Sequence, residues 1–212
     1  MGGTLSWVAA RMSGVRIIIF AKAPVPGSVK TRLVPALGQQ AAAELARSML
    51  KETILEATAA GVGPTEICGD PEPADPSWGS LLETDALELS AQGEGGLGER
   101  LARAAQRALG DGSPAVLIGS DCPSLNRHRL RDIAAQLEDH DAVIQPAMDG
   151  GYVALGLRKF HPSLFHGIAW STEAVANDTV RRIIQLGWTY FIAEPLRDID
   201  TPEDLKAEGL TA

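Results

Sequence analysis

The chain has 212 residues, the length of one large domain, and its hydrophobic content of 45% is enough for a full core. A formal net charge of -8 argues against a general nucleic-acid-binding protein, because such proteins neutralise phosphates with a basic surface. Two cysteines in unrelated contexts, Cys68 and Cys122, predict free thiols in a reducing cytoplasm rather than a disulfide.

The amino-terminal segment, residues 1–14, is predicted to be a disordered or loosely attached tail ahead of one domain over residues 15–212. It has no basic segment, and its apolar part, LSWVAA, is too short for a signal peptide. Met12 is an alternative natural start. No apolar run approaches the roughly 18 residues of a membrane span, so we expect none.

Strand and helix patterns alternate through the first half of the domain. An apolar, β-branched run at residues 15–20 predicts a buried strand that a proline-rich loop ends. Between Gly38 and Gly61, apolar side chains recur at helical spacing and predict one long helix. Weaker strand patterns at residues 65–68 and 86–89 lie on either side of a segment rich in Pro, Asp, Glu and Gly.

The second half continues the alternation. Helical spacing from Leu97 to Gly110 precedes AVLIG at residues 115–119, which predicts the central strand. The next elements are a helix through Ile133 and two strands joined by the turn MDGGY. The remaining patterns predict a helix that starts at Ser171, a strand WTYFIAE, and a helix capped by Thr201 with Asp204 in the capping-box position.

This order predicts an α/β fold: a single-domain, three-layer sandwich with a mixed, mainly parallel sheet. Strands that alternate with helices pair in parallel through right-handed crossovers, and the DGGY hairpin adds an antiparallel pair. Ligands bind at the carboxyl ends of strands in such sheets. The segments expected there are FAKAPVPGSVKTRL, GSDCPSL, PAMDGGY and RDIDTPED, which together predict one composite site.

The first of these loops carries three cations, two prolines that stiffen it and a glycine. Lys30 and Arg32 can contact phosphate oxygens, Lys22 adds a third charge, and Gly27 permits a ligand to approach closely. The loop is not a P-loop, because Gly27 lies three residues before Lys30, and the chain has no GxGxxG turn. The alternative is a surface loop with solvated cations. As loop cations, Lys30 and Arg32 are predicted to be replaceable by alanine with little loss of stability.

A carboxylate at the end of the central strand needs a partner. Asp121 can bind Mg²⁺ or Mn²⁺ shared with substrate phosphates, or it can accept hydrogen bonds from local backbone amides. Asp200 can supply a second metal oxygen or stabilise the helix dipole, and Asp198 is assigned only to a solvated loop. Cys122 is interpreted as structural, because no histidine near it in sequence could activate it.

The hairpin residues and one tryptophan are candidates for acceptor or sugar binding. Asp149 can bind a substrate hydroxyl, although DG and GG dipeptides are also ordinary hairpin turns. Trp170 can stack on a sugar or base or belong to the core. The four histidines lack metal-site spacing and no GxSxG motif occurs, so zinc and hydrolase chemistry find little support.

At this level the chain resembles a known family. The motifs FAKAPVPGSVKTRL, GGLGERL, LIGSDCPSL, MDGGYVALGL, IAWSTEAV and DIDTPEDL occur in the order found in bacterial proteins to which glycosyltransferase activity is ascribed. These belong to the GT-A (nucleotide-diphospho-sugar transferase) superfamily and are sometimes labelled "selenodomain-associated transferase 1". The chain is more distantly similar to the 2-phospho-lactate and molybdenum-cofactor guanylyltransferases.

The resemblance implies a Rossmann-like GT-A domain that binds a nucleotide through a divalent cation, Mg²⁺ or Mn²⁺. Asp121 matches the metal aspartate of the superfamily, but Pro123 replaces the second aspartate of a DxD pair, which turns the comparison toward nucleotidyltransferases with Asp200 as the second ligand. The implied catalytic residues are Lys30, Arg32, Asp121 and Asp149. The implied nucleotide site comprises Ala21, Lys22, Pro26, Gly27, Lys30, Arg32, Ser120 and Asp121, and the implied acceptor or sugar site Gly150, Gly151, Tyr152 and Trp170.

Three functions remain open from the sequence. The first is a metal-dependent transferase that uses a nucleotide-diphospho-sugar donor and an unknown small-molecule acceptor. The second is a nucleotidyltransferase that acts on a small phosphorylated substrate. The third is a nucleotide-binding domain without catalysis. The same cations and carboxylates would serve all three, because both transfers rest on positioning and electrostatic stabilisation.

Overall fold

The computed structural model describes residues 14–82, 86–110 and 112–209. The predictions for the amino-terminal tail and for Met12 therefore lie outside the described residues, apart from Gly14.

One seven-stranded sheet forms the centre of the domain, in the order β3-β2-β1-β4-β6-β5-β7. Strand β6 runs antiparallel to its neighbours β4 and β5, and the other pairs are parallel. The predicted mixed, mainly parallel sheet is confirmed. The strands are β1 (Arg16–Lys22), β2 (Thr65–Asp70), β3 (Leu87–Ala91), β4 (Ala115–Ile118), β5 (Ala142–Pro146), β6 (Tyr152–Leu157) and β7 (Tyr190–Ile192).

Helices cover both faces of the sheet. Alternate isoleucines of β1 point to opposite sides, as the two-residue period of a strand requires: Ile17 belongs to the cluster that contains Leu50 and Leu130, and Ile18 to the cluster that contains Leu101 and Ile183. The domain is thus a three-layer α/β sandwich. The helices are α1 (Val34–Leu37), α2 (Gln39–Ala60), α3 (Leu97–Gly110), α4 (Arg127–Asp139), α5 (Val175–Gln185) and α6 (Pro202–Ala207).

Several elements differ from the sequence prediction. The predicted helix start at Ser171 is wrong, because Ser171 has a φ of 63° and the regular helix α5 begins only at Val175. The predicted strand WTYFIAE is reduced to β7, which pairs with β5 over three residues at the sheet edge. Helix α1 and two short 3-10 segments, Pro76–Leu82 and Pro162–Leu164, were not predicted. Within the described ranges, no helix has both the length and the apolar character needed to cross a membrane.

The carboxyl-terminal helix places an acidic segment at the functional edge. Thr201 accepts a hydrogen bond from the backbone amide of Asp204, and the Asp204 carboxylate accepts from the Thr201 amide at 2.8 Å, so the predicted capping box is confirmed. Leu205 packs with Leu33 in a third apolar cluster. This packing ties the segment before α6 to the loop after β1.

Candidate functional site

Two cavities meet at the carboxyl ends of β1 and β4, and Phe20, Gly119 and Asp121 line both. The first cavity has a volume of about 350 Å³ and lies between the loop after β1 and the segment before α6. The second cavity has a volume of about 320 Å³ and lies between α3, the β5–β6 turn and the segment before α5. All four segments predicted to form a composite site therefore line these two cavities.

Lys30 lines the first cavity and links two of its carboxylates. Its Nζ donates to Asp200 Oδ1 at 2.7 Å and to Asp121 Oδ2 at 3.2 Å. The Lys30 side chain is only 10% exposed, whereas the two carboxylates are 36% and 38% exposed. Burial lowers the pKa of Lys30, but attraction to Asp121 and Asp200 outweighs it, and the pKa lies above its ordinary value. The ammonium is therefore held charged between two acids.

The backbone of the loop turns this ammonium inward. Lys30 has a φ of 47°, in the left-handed region that a non-glycine residue rarely adopts, and Leu33 donates its backbone amide to the Lys30 carbonyl at 2.8 Å. Leu33 is fully buried beneath the loop. In the described ranges, Lys30 and Ser171 are the two non-glycine residues with positive φ, and each lines one of the two cavities. Such strain persists where the surrounding structure enforces it, which is common at functional sites.

Asp121 and Asp200 come together because their segments are bonded to each other. The backbone amide of Ile199 donates to the Asp121 carbonyl at 2.9 Å, and Ile199 is fully buried. The Asp121 side chain accepts from Lys30, so its partner is a lysine rather than the local amides of the alternative interpretation. Asp200 likewise pairs with Lys30 instead of serving only the dipole of α6.

The remaining predicted nucleotide residues divide into two groups. Lys22, Arg32 and Ser120 line the first cavity; Arg32 is 68% exposed and lies 3.6 Å from Asp200. Three others do not line it: Ala21 is buried, and its carbonyl accepts from the Gln92 side chain, while Pro26 and Gly27 are exposed on the outside of the loop. The sequence reasoning missed the hydroxyl residues Ser28 and Thr31, which line the cavity from the same loop.

Two aromatic residues form one side of the second cavity. The rings of Tyr152 and Trp170 lie edge to face with centroids 6.4 Å apart. The Tyr152 hydroxyl is buried without a hydrogen-bond partner, and burial raises the pKa of this phenol. Trp170 also packs on helix α3, where a Cβ on Gly98 would lie 2.4 Å from the indole nitrogen. Glycine at position 98, within the GGLGERL motif, therefore makes room for the tryptophan.

The turn Asp149-Gly150-Gly151 also borders the second cavity. Asp149 Oδ1 accepts from the Gly151 amide at 2.8 Å, which is the local bond of an Asx turn. Gly150 has a φ of 90°, and a Cβ there would lie 2.3 Å from the carbonyl oxygen of Glu173. Asp149 thus serves the turn with one oxygen while it also lines the second cavity, where Gly151 joins it and Gly150 does not.

Asp198 is a site residue that the sequence analysis assigned to a solvated loop. It lines the second cavity, and burial together with repulsion from Asp121 and Asp149 raises its pKa to about 6. The walls contributed by Leu97, Leu101 and Thr172 were also missed. Their position within the motifs GGLGERL and IAWSTEAV could have identified these three residues as candidates, because both motifs belong to the family resemblance.

Replacement of Asp198 by asparagine is expected to stabilise the protein at pH 8. Because folding raises the pKa of Asp198, its negative charge lowers the stability of the folded protein. Above pH 6 the wild type carries that charge, and asparagine removes it without changing the shape of the side chain. We expect a gain on the order of 1 kcal/mol after allowance for solvent screening. The gain should vanish as the pH falls through 6 toward 4, because the wild-type carboxyl then takes up a proton. Thermal unfolding across this range, with Asp132→Asn on α4 as control, measures it.

Both cysteines are free, as predicted, and both are buried. Burial, with a smaller contribution from Asp121 and Asp198, raises the pKa of Cys122 to about 12, so this thiol is not a nucleophile near neutral pH. The structural interpretation of Cys122 agrees with this environment.

The carboxylates have the chemistry that a magnesium or manganese ion requires. Asp121 and Asp200 present hard oxygen atoms to one cation, the Lys30 ammonium. In the described part of the chain, no cluster of three or more His, Cys, Asp or Glu side chains is arranged to hold an ion by itself. A two-carboxylate site fits the cations that complete their shell with water and substrate phosphates. Metal binding itself stays a prediction.

Known structures share this fold. No curated protein matches the chain. A crystal structure from Desulfovibrio desulfuricans G20, described as a "putative nucleotide-diphospho-sugar transferase", is 34% identical, with 93% of this chain and 87% of that chain covered and a TM-score of 0.86.

More distant structures share the fold alone. A cytidylyltransferase from Leptospira borgpetersenii is 16% identical over 92% of this chain and 85% of its own, with a TM-score of 0.56. A 4-diphosphocytidyl-2C-methyl-D-erythritol synthase from Anaerococcus prevotii is 11% identical over 92% and 96%, with a TM-score of 0.61. Residues 53–172 match the family model "Uncharacterized protein conserved in bacteria (DUF2064)". The chain therefore belongs to the DUF2064 family of bacterial proteins.

Proposed function

We propose that the chain is a metal-dependent GT-A transferase that moves a sugar from a nucleotide-diphospho-sugar to a small-molecule acceptor. The observation that carries this proposal is the set of three cations, Lys22, Lys30 and Arg32, placed with Asp121 and Asp200 around one cavity that adjoins a second cavity. The relative that is 34% identical over most of both chains supports a nucleotide-sugar donor.

The first cavity is assigned to the diphosphate of the donor. The exposed guanidinium of Arg32 can form a bidentate pair with phosphate oxygens, and Lys22 adds a second mobile charge. Ser28 and Thr31 offer hydroxyl groups from the same loop. Before donor and metal bind, Lys30 is held between Asp121 and Asp200 and partly neutralises them.

Asp121 and Asp200 would hold the divalent cation, Mg²⁺ or Mn²⁺. When bound, the ion supplies charge neutralisation for the leaving nucleoside diphosphate. Lys30 must then release at least one of its two carboxylates, and the freed ammonium can turn toward the phosphates.

The second cavity is assigned to the acceptor and the sugar. Asp149 and Asp198 lie there as hydrogen-bond acceptors for hydroxyl groups, and Gly151 lets a ligand approach the backbone. Trp170 and Tyr152 offer aromatic surface for a sugar or acceptor ring. Gly150 shapes the turn from outside the cavity.

Nucleotidyl transfer is the second candidate, and one observation favours it. Asp121 after the central strand and Asp200 late in the chain share one cation, Lys30, whereas Pro123 leaves no second aspartate beside Asp121. That arrangement is the one the sequence resemblance associates with guanylyltransferases. A nucleotide-binding domain without catalysis is the third candidate.

The deciding experiment compares nucleoside triphosphates with nucleotide-diphospho-sugars by thermal shift, with Mn²⁺ and with chelator, and then assays turnover. We expect larger, Mn²⁺-dependent stabilisation by a diphospho-sugar, together with release of nucleoside diphosphate in the presence of acceptors. Preference for a triphosphate with release of pyrophosphate would replace glycosyl by nucleotidyl transfer. Binding without any turnover would leave the non-catalytic domain, and no binding would refute all three.

A further inference from the structure

We propose that the second cavity selects an acceptor that carries an amine as well as a hydroxyl group on an apolar ring or chain, and that it rejects phosphorylated and other anionic acceptors. This inference rests on the proposed function, since it names the class of molecule that the acceptor cavity takes.

The charge of the cavity has one sign. Its charged lining residues are Asp121, Asp149 and Asp198, and among the residues that the structure describes no lysine, arginine or histidine lines it. The neighbouring cations are on the other side of Asp121: Lys22, Lys30 and Arg32 line the first cavity. The two cavities thus separate opposite charges, which suits an anionic donor in the first and a cationic molecule in the second.

The second cavity would stay negatively charged when donor and metal are bound in the first cavity. Lys30 pairs with Asp121 and Asp200, and a divalent cation held by these two carboxylates would neutralise them. Asp149 and Asp198 have no cationic partner among the ion pairs of the described residues. An acceptor phosphate would approach two uncompensated carboxylates, whereas an ammonium group would be attracted by both.

The remaining walls of the second cavity are mostly apolar and suit a ligand with an apolar ring or chain and a polar group. The Tyr152–Trp170 pair is extended by the apolar surfaces of Phe20, Leu97, Leu101 and Val175, and Leu97 is 45% exposed. Such a wall suits a ring, and an aromatic face also attracts a cation. Tyr152 lines this cavity, and its hydroxyl is buried without a hydrogen-bond partner. Ser171 adopts its positive φ in the same wall.

The test uses three probes that share a hydroxyphenyl ring and differ in charge: tyramine, tyrosol and 4-hydroxyphenylacetate. Their dissociation constants are measured by ligand-observed NMR on the full chain, without donor and again with the nucleotide-sugar that gives the largest thermal shift. We expect tyramine to bind about tenfold more tightly than 4-hydroxyphenylacetate, with tyrosol between them. The preference should shrink at about 0.5 M salt, which screens the carboxylates.

Variants assign the preference to the cavity. Asp149→Asn combined with Asp198→Asn should bring the ratio of the two dissociation constants close to 1, while Glu173→Gln, an exposed carboxylate beside the turn that does not line the cavity, should leave it unchanged. The salt dependence of the wild type tests the same point if the double variant fails to fold.

Equal binding of the three probes, preference for the anion, or no binding of any probe would overturn the inference. The proposed function is judged separately by the donor and turnover experiments. Charge preference without donor binding would refute the transferase and leave a cation-binding cavity, whereas donor turnover without charge preference would refute only the acceptor class.

Discussion

Replacement of Lys30 is expected to destabilise the protein and abolish donor binding, whereas replacement of Arg32 is expected to weaken donor binding alone. The two cations come from one loop, but Lys30 is 10% exposed between two carboxylates and Arg32 is 68% exposed. Without Lys30, Asp121 and Asp200 face each other uncompensated. Because both acids retain contact with solvent, we expect a loss of about 1–2 kcal/mol rather than the larger cost of a fully buried pair.

The measurement pairs unfolding curves with donor titrations for Lys30→Met, Lys30→Ala and Arg32→Ala. Methionine keeps much of the volume of the side chain, so a similar loss in both Lys30 variants assigns the effect to charge. A stable Lys30→Met protein would show that the bridge contributes nothing, and donor affinity that survives in it would remove Lys30 from the site. This expectation differs from the sequence-based prediction for Lys30, which assumed an exposed side chain, and keeps that prediction for the exposed Arg32.

The reason for that correction lies in the path of the loop. From sequence, Lys30 is a cation in a loop rich in proline and glycine, and such residues are usually solvated. Its burial follows from a backbone turn at positive φ above the fully buried Leu33. No pattern of residue types reports that a non-glycine residue adopts this conformation, because the surrounding tertiary structure enforces it.

The fold could be predicted from the sequence, because it depends on local sequence patterns and one general rule. The isoleucines of β1, the helical spacing between Gly38 and Gly61, and the capping box at Thr201 each act within a few residues. The rule that ligands bind where parallel strands end then placed Lys30, Asp121 and Asp200 at one edge before any contact was known. The structure shows these three residues in direct contact.

The second cavity was harder to predict from the sequence, because its walls come from helices and loops whose sequence patterns are ordinary. Leu97 and Leu101 fit the apolar stripe of an amphipathic helix, and nothing in that stripe says that the first turn of α3 borders a cavity. Asp198 and Asp200 differ by two positions in one acidic segment. Asp200 lies beside Lys30, whereas Asp198 lies among carboxylates. This difference follows from the path of the segment in the folded protein.

Asp121→Asn is expected to reduce Mn²⁺-dependent donor affinity about 100-fold or more while it changes the stability of the ligand-free protein by less than about 1 kcal/mol. An amide oxygen is a neutral and weaker ligand for a hard cation, so the loss should appear only with metal present. Stability should change little because Lys30 keeps Asp200 at 2.7 Å and because repulsion of Asp198 by Asp121 disappears. Isothermal titration calorimetry with and without Mn²⁺ measures the first effect, and a melting curve the second.

The same arrangement predicts a gain in metal binding when the internal cation is removed. Lys30→Met should bind Mn²⁺ more tightly than the wild type in the absence of nucleotide, because the ion no longer competes with the ammonium that Asp121 and Asp200 share. Asp132→Asn, a carboxylate exposed on α4, should leave both Mn²⁺ and donor affinity unchanged. Mn²⁺-dependent affinity that survives in Asp121→Asn, together with no gain in Lys30→Met, would refute a metal site between these carboxylates and leave Lys30 as the permanent cation of the first cavity.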